Sequence, residues 1–225
     1  MSKGIIMLDP GHGWSNIDNL YSRPITTLKD GKAIILSRSM CRHEKDGVPG
    51  YYREDFGTLA IAKGTKEALE DMDYEVHVTR SFDDDLGATA HLAEELNGNP
   101  WQKGNWKSWK WIREATSHYK CDAFVSIHTN AGGGTGSSGF YAEDPGRILS
   151  ETICNEINNK FHLGIRRISE KRYLILRDSC HGKACLIECA FHDHPKDLAL
   201  LLDQNNLIEF GKAIARGTDK FLSSV

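Results

Sequence analysis

Three short apolar runs constrain the fold of this chain more than any other feature: Gly4–Leu8 (GIIML), Ala123–Ile127 (AFVSI) and Ala184–Phe191 (ACLIECAF). Each is nearly continuous in apolar residues where a half-exposed strand would alternate, so each reads as a strand buried on both faces of a sheet. Between and after them lie stretches with helical periodicity. Asp55–Met72 places Phe56, Leu59, Ala60, Ala62 and Leu69 among lysines and glutamates, as an amphipathic helix beginning just after Glu54 would. Ile148–Phe161 and Leu207–Phe221 read as helices, with another from about Trp109 to Tyr119. Tyr74–Thr79 and Tyr173–Leu176 read as further strands. Strands alternating with helices predict an α/β domain, with a mostly parallel twisted sheet of about six strands and helices on both faces. With 225 residues, a single domain over 1–225 is the expectation.

Two stretches interrupt this pattern. Residues 14–52 are polar and broken by glycine, with one strand-like piece at Lys32–Leu36, and read as a long excursion outside the core. Asp83–Lys110 reads as an insertion, and Trp101, Trp106, Trp109 and Trp111 within or beside it either pack the insertion itself or stack on sugar rings. The run AGGGTGSSG after Asn130 reads as flexible.

Composition narrows the partners. A formal charge of -3 gives no drive toward nucleic acid, and the basic cluster Arg166, Arg167, Lys171 and Arg172 reads as a solvated face or loop. No apolar stretch approaches the roughly 20 residues needed to span a bilayer, so no membrane insertion is expected. Gly4–Leu8 is too short for a signal-peptide core, which predicts synthesis in the cytoplasm of a bacterial host cell without an export signal. Cys41, Cys121, Cys154, Cys180, Cys185 and Cys189 lack the spacing of a disulfide scaffold and are expected reduced and mostly buried.

Chemistry gathers where the apolar runs stop. The first ends in Asp9-Pro10-Gly11-His12-Gly13 and the second in His128-Thr129-Asn130, so two histidines are expected at the carboxyl ends of strands, where open α/β sheets place their sites. Either histidine alone is more often an ordinary structural or surface residue. With Glu54 at a helix start, however, two imidazoles and one carboxylate make the ligand set that leaves catalytic zinc an open position for water. Glu188, inside ACLIECAF, would then be the general base, its pKa raised by burial; the alternative is a buried salt bridge. A rival metal centre is Cys180, His181, Cys185, Cys189, His192 and His194, a structural zinc module lacking a paired CxxC knuckle.

These residues resemble the zinc-dependent N-acetylmuramoyl-L-alanine amidases of bacterial autolysins and phage endolysins. LDPGHG at Leu8–Gly13 is similar to that family's opening motif, and Glu54 followed by LAIA at Leu59–Ala62 to its metal glutamate and helix. SIHTN at Ser126–Asn130 is similar to its second metal histidine, and LIECAF at Leu186–Phe191 to its catalytic strand. VTR at Val78–Arg80 with Asp83, Arg113, and SGFY at Ser138–Tyr141 match less specifically. The resemblance implies that His12, Glu54 and His128 bind Zn2+ and that Glu188 is general base and acid. Asn130 and Arg113 would contact the substrate, bacterial peptidoglycan, cleaved between N-acetylmuramic acid and L-alanine. Glu54 follows His12 at a longer interval than in compact members of the family, which makes Glu44 a rival ligand, and the insertion has no family counterpart. Lacking an export signal, the chain is expected to be a phage endolysin acting on the wall after release. The alternatives are a zinc peptidase cutting within the peptide stem and a non-catalytic wall-binding domain of the same fold.

Overall fold

A computed structural model describes residues 2–11, 34–37, 40–45, 48–79, 115–177 and 179–224. Its strands are β1 (Ile5–Pro10), β2 (Ile34–Ser37), β3 (Met40–Lys45), β4 (Val48–Arg53), β5 (Glu75–Val78), β6 (Ala123–Asn130), β7 (Ser137–Tyr141), β8 (Ile165–Glu170) and β9 (Ala184–Phe191). The helices are α1 (Glu54–Glu70), α2 (Asp144–Phe161), α3 (Pro195–Leu201) and α4 (Gln204–Leu222). The main sheet has six strands in the order β5-β1-β6-β9-β7-β8, parallel throughout except where β7 runs against β9.

The central strands are apolar on both sides because both sides are covered. Ile6, Leu8, Val125, Ile127, Cys185 and Ile187 pack with Ile61 and Leu69 of α1, Ile153 and Ile157 of α2, and Phe210 and Ile214 of α4. Phe161 and Phe210 stack at 3.9 Å where α2 meets α4. Each fully buried Ile, Leu or Phe contributes about 1.5–3 kcal/mol, so stability is concentrated on this face. The opposite face has a smaller core of Met7, Phe124, Leu186, Phe140, Leu176 and Cys180, covered among the described residues by helical residues 115–118 and the turns before β9. Because side chains alternate along a strand, the parity that points Met7, Phe124 and Leu186 to this second face also points Asp9, Ser126, His128 and Glu188 there. The apolar core thus gives way to polar groups at the strand ends.

Several expectations are corrected. Among the described residues of the excursion there are three strands where one was expected: β2, β3 and β4 form a three-stranded antiparallel sheet separate from the main one. Its strands were hidden because MCRHEK and VPGYYR lack an apolar repeat. Tyr173–Leu176 is not a strand, its residues 174–176 lying in a turn, and the strand lies earlier, at Ile165–Glu170, where an exposed sheet edge carries Arg166 and Arg167. Charge on an edge strand discourages pairing with other chains, which suits Arg166 and Arg167, while Lys171 and Arg172 follow the strand as exposed residues. The glycine run after Asn130 is held in place: Asp193 Oδ2 accepts the amides of Gly132 and Gly133 at 2.7 and 2.9 Å, and Asp197 Oδ2 accepts that of Gly136 at 3.0 Å. No described helix is long and apolar enough to cross a membrane.

Candidate active site

The site is built on the ends of β1, β6 and β9. Asp9, near the end of β1, is 7% exposed and accepts the hydroxyl of Thr79 on one oxygen and that of Ser126 on the other, both at 2.7 Å, which fixes the three adjacent strand ends together. The next turn is pinned twice more. Gly11 donates its amide to the Ile127 carbonyl at 2.7 Å and accepts the Thr58 hydroxyl of α1 at 2.9 Å. A Cβ on Gly11 would fall 2.2–2.5 Å from the ring atoms of His128, so only glycine lets the backbone approach that imidazole.

Glu54 is the first residue of α1 and is 2% exposed. Its Oε1 accepts the backbone amide of Thr129 at 2.9 Å and lies 3.1 Å from Nδ1 of His128. His128 stands within β6, not after it, and pairs in register with Glu188 of β9, which pairs on its other side with Ser138 of β7. Burial alone would hold the His128 pKa down, but the hydrogen bond to Glu54 and the charges of Glu54, Glu188 and Asp9 outweigh it and push the value up to about 9. Three carboxylates thus create a field that favours positive charge at this point. An imidazole and a carboxylate with donor atoms 3.1 Å apart in such a field fit the nitrogen and oxygen ligation of a divalent transition metal.

Chemistry alone would leave several hydrolase families open; comparison with known proteins decides between them. The N-acetylmuramoyl-L-alanine amidase family model matches residues 6–220. The chain belongs to this family. It is therefore an N-acetylmuramoyl-L-alanine amidase, a hydrolase of peptidoglycan. Among solved structures, the amidase is similar to CwlD from Clostridioides difficile, solved in complex with the GerS lipoprotein, at 26% identity and a TM-score of 0.69 over 99% of this chain and 100% of that one. It shares its fold with the amidase Ami1 of Mycobacterium smegmatis (19% identity, TM-score 0.68, 100% and 99% covered). The catalytic domain of the CD27L endolysin targeting Clostridia difficile is also similar (18%, 0.61, 96% and 97%). A comparison with curated proteins gave no match.

Of the residues the sequence singled out, the amidase brings Glu54, His128 and Glu188 together. Asn130, at the end of β6, turns its side-chain oxygen back onto the Ala131 amide at 2.8 Å. His12, Arg113 and the four tryptophans Trp101, Trp106, Trp109 and Trp111 lie outside the described residues. Among the described residues no group of three or more His, Cys, Asp or Glu side chains is placed to hold a metal. That disposes of the rival cysteine centre, whose members are all described. Cys185 and Cys189 face the helix-covered core, and Cys180 packs in the core on the opposite face. Cys121, Cys154, Cys180, Cys185 and Cys189 are free and buried. The backbone of Glu44, the rival ligand, pairs with Pro49, four pairs along the β3–β4 ladder from the Met40–Arg53 pair beside Glu54.

Sequence reasoning missed Asp9, Thr129, Tyr52 and Asp197. Asp9 and Thr129 sat beside residues already selected; their signal was a polar residue at the end of an apolar run. Tyr52 carried no local signal, since its partner Thr129 is distant in sequence, and Asp197 looked like an ordinary first-turn acid of α3 because the glycine-run donors it holds, Thr135 and Gly136, are some sixty positions away.

Proposed function

We propose that this amidase is zinc-dependent, that His12, Glu54 and His128 hold the metal, and that Glu188 carries the proton in hydrolysis of the bond between N-acetylmuramic acid and L-alanine. The observation that carries the reading is the convergence of Glu54, His128 and Glu188 from α1, β6 and β9 on one point at the carboxyl end of the sheet. The described neighbour of His12, Gly11, lies against the His128 ring, which further supports a shared metal. When bound, zinc supplies Lewis acidity toward the scissile carbonyl and toward water.

The chain's own groups do the rest. The Thr129 amide holds one Glu54 oxygen, leaving that carboxylate little rotational freedom. Glu188, at the edge of the polar cluster, takes a proton from the attacking water and returns it to the departing alanine nitrogen, so one carboxyl serves as base and then acid. Asn130, at the rim, and Arg113 orient the substrate. The biological setting we propose is phage-directed lysis, with the chain made in the host cytoplasm and acting on the wall after release; its support is the fold shared with an endolysin catalytic domain.

Digestion of purified peptidoglycan tests the reaction: new muramoyl lactyl carboxylates and L-alanine amines are expected in equal number. Other peptide ends would mean a stem peptidase, and binding without new ends a wall-binding module. Glu188→Ala should keep zinc and lose about 10²–10⁴-fold in turnover. His128→Ala should lose both, and full zinc stoichiometry in that variant would refute the ligand set. Expression inside a host with and without a membrane-pore protein tests the setting; lysis is expected only with the pore.

A further inference from the structure

We propose that Tyr52, Thr129 and His192 form a buried positioning network that fixes the Glu54 carboxylate for metal binding, an inference that rests on Glu54 being a ligand. The three residues belong to the chain segments that deliver the site. Tyr52 precedes Glu54 by two residues at the end of β4, Thr129 follows His128 in β6, and His192 comes just after β9, which carries Glu188. Thr129 has the opposite strand parity from His128, so its side chain turns away from the Glu188 face.

Thr129 works in two directions. Its amide donates to Glu54 Oε1 at 2.9 Å, and its hydroxyl accepts from the Tyr52 hydroxyl at 3.3 Å and lies 3.0 Å from Nδ1 of His192. A hydroxyl carries one proton and two lone pairs, so the Thr129 oxygen can accept from Tyr52 and still share a hydrogen bond with Nδ1 of His192. Tyr52 and His192 also stack, with centroids 5.5 Å apart and planes at 26°. His192 is 0% exposed, Thr129 2% and Tyr52 4%, so none of them can touch a peptidoglycan strand. Polar groups this deeply buried are costly unless their bonds are made, and a fully made chain of them is rigid.

A second feature points the same way. Gly57, in the first turns of α1, has no side chain where the Tyr52 hydroxyl sits: a Cβ there would be 2.1 Å from that oxygen and 2.8 Å from Cζ. Glycine inside a helix costs about 1 kcal/mol relative to alanine, so this position sacrifices helix stability to admit the hydroxyl. Groups that hold a metal ligand in place typically change metal affinity by about 10–100-fold when removed.

The test is the zinc affinity of the full chain, measured against a chromophoric chelator, alongside thermal melting of the metal-free form. Thr129→Val and Gly57→Ala should each weaken zinc about 10–100-fold, while Thr129→Ser, which keeps the hydroxyl, should stay near the parent value. His192→Asn should retain more affinity than His192→Phe, because its amide can still meet the Thr129 hydroxyl. A purely structural role predicts lower melting temperatures with unchanged affinity. That result in Thr129→Val and Gly57→Ala would overturn the network, and if Thr129→Val does not fold, Gly57→Ala and the two His192 variants decide. Glu54→Ala separates the two layers. Undiminished zinc binding there would refute Glu54 as a ligand and the network with it, whereas loss there with parent affinity in the other variants refutes the network alone.

Discussion

Replacing Asp197 with alanine should cost more stability than removing any single surface ion pair in this molecule. Its carboxylate is 0% exposed and is the common acceptor for four donors: the amides of Gly136 and Phe191 at 3.0 Å each, the Thr135 hydroxyl at 2.6 Å and His194 Nδ1 at 3.1 Å. Alanine leaves two backbone amides without an acceptor in a site closed to water. At about 1–3 kcal/mol for each stranded donor, plus the charge-assisted bonds lost, the total is roughly 3–6 kcal/mol. For a domain of this size about 1 kcal/mol lowers the melting temperature by 2–4 °C, so a fall of ~6–24 °C is expected by circular dichroism. Asp197→Asn keeps one acceptor and should fall about halfway. Limited proteolysis should cut Asp197→Ala between Ala131 and Gly136, where the parent chain resists. A melting temperature within about 2 °C of the parent would refute the claim that this carboxylate holds the glycine run.

Gly11→Ala should fold yet lose about 10²-fold or more in activity on cell walls, since the new methyl must displace the His128 ring by a large fraction of an ångström; parent-like turnover would contradict the packing described. Glu209 joins α4 to α2 through Lys160 at 2.7 Å and also meets Lys212 at 2.8 Å, and these partners pull its pKa down to about 2. A depressed carboxylate stabilises the fold above its unfolded pKa of about 4.3 and ceases to do so as pH falls through the folded value. The deficit of Glu209→Gln in urea unfolding, up to ~1 kcal/mol at pH 7, should therefore fade between about pH 5 and 2, and a deficit that grows on acidification would refute the pairing. Burial pushes the Cys154 thiol up to about 12 and holds those of Cys185 and Cys189 well above their usual range. In a Cys41→Ser background these three should resist thiol reagents until the chain is unfolded, as read by mass spectrometry.

How much of this was legible in the sequence depended on where the physical cause of each feature lay. The main sheet could be read because Ile5–Pro10, Ala123–Asn130 and Ala184–Phe191 are buried on both faces and must be apolar almost throughout; the last run was placed to the residue. α2 and α4 were found but began earlier than their periodicity, at Asp144 and Gln204, because Pro145 and the Asp203 cap set those ends and not apolar spacing. β8 was missed because an exposed edge strand has no reason to alternate, while Tyr173–Leu176 looked like a strand through Leu176, which is buried from a turn. The glycine run looked flexible because the carboxylates that fix it are some sixty positions away. Glu54, His128 and Glu188 were legible because a charged or titratable residue at the end of a buried strand or start of a helix stands out. The Tyr52–Thr129–His192 chain did not, since hydrogen bonding across three elements leaves no pattern along the sequence.

The junction of β4 and α1 has a further consequence. Tyr52 and Glu54 flank the point where the small antiparallel sheet hands over to the helix, so geometry needs to be correct only across these last few residues. Segments upstream can lengthen or shorten at a closure cost of only about 0.6 kcal/mol per doubling. Only the last residues of β4, Tyr52 and Arg53, are then tied to the start of α1, while β2, β3 and the earlier part of β4 can vary in sequence and length without disturbing where Glu54 is placed.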